Sequence, residues 1–129
     1  MLQCAVRSRP EPTVAVSAAL GQVRRSPQNV RMILEHAVLD VISGEEPRFE
    51  RAFAEAKSII ASMPGFRSLA LDRCLEQPTG YLLRVEWERL EDHTEGFRGS
   101  PEYEKWRALL HHFYEPFPVV EHYTSVVHV

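Results

Sequence analysis

Residues Tyr81 to Tyr123 read YLLRVEWERLEDHTEGFRGSPEYEKWRALLHHFYEPFPVVEHY, and the order of periodicities along them decides the fold. Tyr81, Leu83, Val85 and Trp87 alternate onto one face of a strand, with Arg84 and Glu86 on the other. Leu90, His93, Thr94 and Phe97 come next at helical spacing, and Gly99 breaks that short helix. Ser100-Pro101 is a helix start: serine caps the free amides, and proline's missing N–H costs nothing in a first turn. Tyr103, Trp106, Leu110 and Phe113 form the next apolar stripe, Pro116 and Pro118 stop it, and Val119–Val127 reads as a closing strand.

Working outward from there, Met32–Ser43 (MILEHAVLDVIS) is a strand with apolar residues on both faces. Leu34, Val38 and Ile42 share one side; Ile33, Ala37, Leu39 and Val41 share the other. A turn at Gly44–Glu46 leads into an amphipathic helix, Pro47–Ser62, whose stripe is Phe49, Ala52, Phe53, Ala56, Ile59 and Ile60. Pro64-Gly65 ends it. Phe66–Leu75 and Gly80–Trp87 form a strand pair joined by a loop of hairpin length. Strand, helix, strand, strand, helices, strand is the ferredoxin-like βαββαβ order, an α+β fold. Helices cover one face of such a sheet. With the helices on the His36 side, Ile33, Ala37 and Leu39 would be bare, and an apolar bare face predicts a homodimer joined sheet to sheet.

At 129 residues the chain is long enough for one domain. Its net charge of −3 is unevenly spread: residues 1–31 carry +4 and the remainder −7. An acidic body without a basic stripe argues against nucleic acid as a partner. No apolar run approaches the ~18 residues of a membrane-spanning helix, so no membrane partner is expected. Cys4 and Cys74 lie in segments of different character, which argues against a disulfide framework and for a reducing, cytoplasmic setting. Residues 1–31 hold three prolines, five arginines and no aromatic residue. They read as an N-terminal extension to a domain spanning 32–129, either a stretch upstream of a natural start at Met32 or a tail without fixed structure. A weak signal peptide and an arginine-rich transit peptide are the other readings of that segment.

Few residues offer chemistry. His36 interrupts the apolar face Leu34, Val38, Ile42, and a polar group buried there needs a partner, the alternative being a satisfied core histidine. His93 lies on the inward stripe with Leu90 and Phe97, where it is either a general base or a histidine bonded to a backbone carbonyl. His111 and His112 are adjacent on a helix and point about 100° apart, so they cannot chelate together. His122 lies on the closing strand, which this fold places beside the first and so near His36. Two histidines without carboxylates at ligand spacing make no metal site. The aromatic residues fill a core or line a cavity for a flat ligand; Trp106 and Arg107 are the pair placed best to line one. No glycine-rich phosphate loop, nucleophile elbow or CxxC is present in the sequence, so nucleotide cofactors and hydrolytic triads are disfavoured.

The run WERLEDH, succeeded by F-R-x-S-P-x-Y and then a Trp, resembles the antibiotic biosynthesis monooxygenase family of small dimeric α+β barrels, over roughly Met32 to Val127. The resemblance implies oxidation of phenolic or quinol-type aromatics with no metal or flavin cofactor, the deprotonated substrate itself supplying the electron to oxygen. The protein would then remove a proton, exclude water and hold an oxyanion. Carried over, His36 or His93 is the base, Arg107 or Trp106 the oxyanion partner, and Phe97 with Trp87 the apolar walls around a small hydrophobic aromatic ligand. In haem-degrading relatives an Asn, a Trp and an axial His are replaced here by His36, Phe97 and Arg107, so haem turnover is not expected. The competing expectation is a non-catalytic dimeric barrel that binds a small molecule or serves structure alone.

Overall fold

The doubly apolar segment does become a strand. In the computed structural model, which describes residues 32–129, β1 is Ile33–Asp40, and α1 (Glu46–Ala61), β2 (Phe66–Arg73) and β3 (Gly80–Trp87) come after it. A π-helical turn (Asp92–Phe97), α2 (Pro101–Leu110), a 3₁₀ turn (His111–Phe113) and β4 (Val120–Thr124) complete the chain. The sheet order is β2-β3-β1-β4 with every neighbouring pair antiparallel, the expected ferredoxin-like α+β fold. The readings of residues 1–31 fall outside the described residues. Among the described residues no helix is long and apolar enough to cross a membrane.

The helices cover the sheet face opposite to the one expected. Glu35, Ala37, Leu39 and Val41 are buried, while Val38 is 59% and Ile42 44% exposed. Ile33, Ala37 and Leu39 therefore do not form the bare face; Leu34, His36 and Val38 do. The reason lies in β3. Its register sets Trp87, Val85, Leu83 and Tyr81 opposite Ile33, Glu35, Ala37 and Leu39, and residues directly opposed across an antiparallel pair share a face. The large side chains of β3 demand the helical cover, and the odd-numbered face of β1 goes with them. Under α1, Phe49 sets its ring edge-on to Tyr81 at 4.9 Å, and Phe53 meets Trp106 of α2 at 5.6 Å. Burial of side chains this size is worth about 1.5–3 kcal/mol each.

Two local devices fix the segment after β3. Gly65 has φ +85°, and a Cβ there would overlap the carboxylate of Asp92, so only glycine lets the β2 entry pass close under the π turn. Asp92 in turn accepts the Arg89 amide at 3.0 Å. Farther on, Ser100 caps α2 as its sequence predicts, its Oγ accepting from the Tyr103 amide at 3.2 Å.

Candidate functional site

The segment expected as an ordinary short helix is wound wider. The Arg98 amide donates to the His93 carbonyl at 3.1 Å, a bond spanning five residues. In this π-helical winding only His93 and Phe97 turn inward, whereas Leu90 and Thr94 of the expected stripe stay exposed. Such turns are rare and often sit at functional sites. The fully buried His93 lies against Trp87, their rings nearly parallel at 5.5 Å.

Opposite His93 stands a residue that sequence reasoning misses. Glu35 is 6% exposed, on the covered face of β1. One of its oxygens accepts the Trp87 indole N–H at 2.9 Å and lies 3.5 Å from Nε2 of His93. The other ring nitrogen of His93, Nδ1, is 2.8 Å from Nε2 of His122 on β4. The closing strand does run beside the first, as expected, but His122 pairs across from Glu35 and so shares the covered face. Its partner is His93, not His36. The contact of 2.8 Å is a hydrogen bond between two rings. Among the described residues no group of three or more His, Cys, Asp or Glu could hold a metal ion.

Burial sets the electrostatics of this row. It pushes Glu35 up to about 7, against the weaker opposing pulls of the Trp87 hydrogen bond and the Arg98 cation. Burial also holds His93 down at about 3, helped by Arg98 and His122, and lowers His122. Near neutral pH the Glu35–His93 contact therefore joins a carboxyl close to half-ionised and a neutral imidazole. Desolvation outweighs the attraction that an ion pair at this distance would gain.

The row opens onto a small cleft of about 30 Å³ between the sheet, the π turn and α2, lined by Glu35, His93, Phe97, Arg98, Trp106 and His111 among others. That is room for roughly two waters. Tyr114, Phe117 and Pro118 close one side. His111, whose ring lies 5.1 Å from Phe117, is pushed down to about 4, first by burial and then by Arg107 and Arg98. A wider groove of about 390 Å³ lies elsewhere, between α1 and β2. Its phenol, Tyr81, is pushed up to about 12 by burial and by its bond to Glu50.

The expected site residues divide between cleft and surface. His93, Phe97 and Trp106 line the cleft, and Trp87 lies fully buried behind it, holding Glu35. His36 is on the open face of the sheet, its ring edge-on to Tyr123 at 5.3 Å, with the sheet between it and His93. Arg107 is exposed and pairs with Glu104 at 2.9 Å; the cation at the cleft is Arg98. Glu35 has a signal of its own in the sequence, since it is in phase with Ala37, Leu39 and Val41, all buried.

The comparisons with known proteins agree with this architecture. Residues 32–109 match the model of the antibiotic biosynthesis monooxygenase family. The chain is 55% identical over 95 residues to YczJ of Bacillus subtilis, a match that covers 74% of this chain and all of YczJ. A crystal structure from Bordetella bronchiseptica that carries the same family name superposes with a TM-score of 0.73 at 34% identity, over 75% of this chain and 99% of that one. The fold is shared at greater distance by SnoaB of Streptomyces nogalater, a cofactor-independent oxygenase, with a TM-score of 0.57 at 17% identity over 77% and 94% of the two chains. A family match spanning the whole stretch from β1 into α2, joined to a close superposition at 34% identity on a structure of that family name, places this chain in the antibiotic biosynthesis monooxygenase family.

Proposed function

We propose that this protein is a cofactor-independent monooxygenase of a small phenolic or quinol-type aromatic, with Glu35 as its general base. The observation that carries the proposal is the buried carboxyl of Glu35 at the cleft, held near pH 7 by its desolvation. A base works best when its pKa lies near the working pH, because it is then both ionised and basic enough to take a proton. His93, held at about 3, is too weak a base to compete. It serves instead as a hydrogen-bonding neighbour, and His36, on the other face, takes no part in this reading.

The roles come from placement. Glu35 removes the acidic proton of the substrate, and the Trp87 N–H steadies the carboxylate. Arg98, at the cleft, stabilises the resulting organic anion, the part expected of Arg107 from the sequence. Phe97 and Trp106 supply apolar walls that keep water out. The substrate anion gives its electrons to O₂, so that a CH₂ carbon of the ring becomes a carbonyl holding one oxygen atom while the other leaves with the two hydrogens as water (R₂CH₂ + O₂ gives R₂C=O + H₂O). A screen of anthrones and quinols for oxygen uptake tests the activity. An active substrate should lose 10²–10⁴ in turnover, order of magnitude, with Glu35→Gln. Unchanged turnover in that variant would reject the base.

One observation favours a second reading. The cleft, at about 30 Å³, is nearly filled by its own side chains, as in a protein that binds a very small ligand or none. Absence of oxygen uptake across the screen, with no aromatic ligand bound in calorimetry, would support that reading over catalysis.

The character of the open face also supports pairing with a second copy. Leu34, Val38, Leu82 and Tyr123 share it with Arg84, Asp72 and Glu86. Apolar residues thus sit among charges of both signs, and Arg84 already pairs with Asp72 at 2.8 Å. Two copies related by a two-fold axis can meet on such a face without setting like charges together. Val38→Asp should convert a homodimer to a monomer in sedimentation while leaving the circular dichroism spectrum unchanged. A wild-type protein that sediments as a monomer at micromolar concentration would reject the pairing.

A further inference from the structure

Glu35 is nearly fully buried and the cleft it lines is the substrate's side, so a bound substrate leaves the base needing a separate path to solvent to adjust its charge. The geometry supplies a path: Glu35 Oε1 lies 3.5 Å from His93 Nε2, His93 Nδ1 lies 2.8 Å from His122 Nε2, and His122 is only half-buried, on the edge strand β4. We propose that His93 and His122 form a proton relay connecting the Glu35 carboxyl to solvent at the edge of the sheet. The inference rests on the reading of Glu35 as the base, and it assigns His122 a function of its own.

The chemistry of two bonded imidazoles gives the relay two states. With Glu35 ionised, its oxygen accepts from His93 Nε2–H; His93 Nδ1 then has a free lone pair and accepts from His122 Nε2–H. With Glu35 protonated, its O–H donates to His93 Nε2, His93 Nδ1–H donates to His122 Nε2, and the proton of His122 is on Nδ1. Passing from the second state to the first breaks three bonds to hydrogen and forms three. The carboxyl proton moves to His93 Nε2, the His93 Nδ1 proton moves to His122 Nε2, and the His122 Nδ1 proton leaves to water. No electrons change hands. Inward passage reverses each hop and restores both rings.

Both rings must be neutral for this to work, and the surroundings keep them so. Arg98, at the C-terminal end of the π turn, lowers both histidines. Burial adds to this at each ring and is the larger cause. From α2 and the chain beyond it, Tyr103, His111 and Tyr114 face the same cleft. Burial raises Tyr114 above its usual range and holds His111 low, so both are neutral near pH 7. Trp87, from β3, contributes only its N–H. Glu35 is the group in the row whose ionisation burial moves toward neutral pH, while burial moves both histidines away from it.

The test reads the rings directly and needs no substrate. In protein labelled with ¹⁵N at the histidine rings, the NMR shifts of His93 and His122 should switch together from the Nδ1–H to the Nε2–H form as Glu35 titrates near pH 7. In Glu35→Gln both rings should hold a single tautomer across that range. Rings in wild type that keep one tautomer through the Glu35 titration would overturn the relay. A second arm uses an active substrate. His122→Asn should slow turnover ~10-fold in weak buffer with KM unchanged, and added imidazole should restore the rate. A wild-type rate in His122→Asn, or a loss that imidazole leaves in place, would also overturn it. Failure of the base reading has a different signature: Glu35→Gln at full activity, whatever the spectra show.

Discussion

Each face of β1 sets a polar residue among apolar neighbours, Glu35 on the covered side and His36 on the open side, and the contrast between these two explains the site. Glu35 sits among Ala37, Leu39 and the large side chains of β3, with an indole N–H and an imidazole as its polar company. Its ionisation is moved into the physiological range by the burial itself. His36, one residue along, rests half-buried against the Tyr123 ring. Neighbours in sequence are strangers in space here, because a strand turns successive side chains to opposite faces. A reactive group is made by what covers it, and the helices chose the odd-numbered face.

The widest separation between the faces should appear in turnover. Glu35→Gln is expected to lower the rate on an active aromatic by about 10²–10⁴, whereas His36→Ala should leave it within a factor of about two. A large loss in His36→Ala with an intact fold would break the comparison, because it would show chemistry on the open face.

The next contrast is carried by α2, whose adjacent residues Trp106 and Arg107 point to core and solvent. Trp106→Ala should cost about 3–5 kcal/mol in urea unfolding, since a 5% exposed indole packed on Phe53 and Phe97 leaves a cavity. Arg107→Ala, which removes one exposed pair with Glu104, should stay within about 0.5 kcal/mol.

The smallest effect, and the one that sharpens the picture most, is the dependence of stability on pH. Glu35 is raised when folded, so between about 4.5 and 7 the folded state holds the extra proton. Stability from this group therefore falls as pH rises through that window, by up to about 1.4 kcal/mol per unit. His93 is lowered when folded, so between about 3 and 6.5 the unfolded state holds the extra proton. Stability from it rises with pH over that range. The two slopes oppose each other between about 4.5 and 6.5. Relative to wild type, Glu35→Gln should show stability climbing with pH there, and His93→Phe should show it falling. Identical pH profiles in all three proteins would mean that neither group titrates differently on folding.

Much of the fold is legible from local chemistry. The β3 alternation, the Ser100-Pro101 start and the Pro64-Gly65 stop act within a few residues of themselves, and each appears in the structure where expected. The side of β1 that meets the helices is not legible in this way, because that choice is made by register with β3, a contact between residues about 45 apart in sequence. The site is legible in halves. His93, Phe97 and Trp106 lie on inward stripes that any helical count reveals, although the π winding removes Leu90 and Thr94 from theirs. Glu35 escapes notice because a carboxylate in a strand ordinarily faces water, and only the covered face turns it into a titratable core residue. Arg107 is the cation expected in place of Arg98 because a cation's usefulness depends on which way the helix end points.

The wider winding at Asp92–Phe97 has a consequence for how such a site could arise or vanish. A π turn is an α-helix holding one residue more than it needs. Loss of a single codon there would let the backbone relax to ordinary helix and rotate the downstream part of the turn by about 100°. One of His93 and Phe97 would leave the cleft, while the sheet, α1 and the capped start of α2 stayed whole. The scaffold and the chemistry of this protein are therefore separable by one residue. A chain with the same four-stranded sheet and helices would gain or shed the inward pair by one such change, with the scaffold intact.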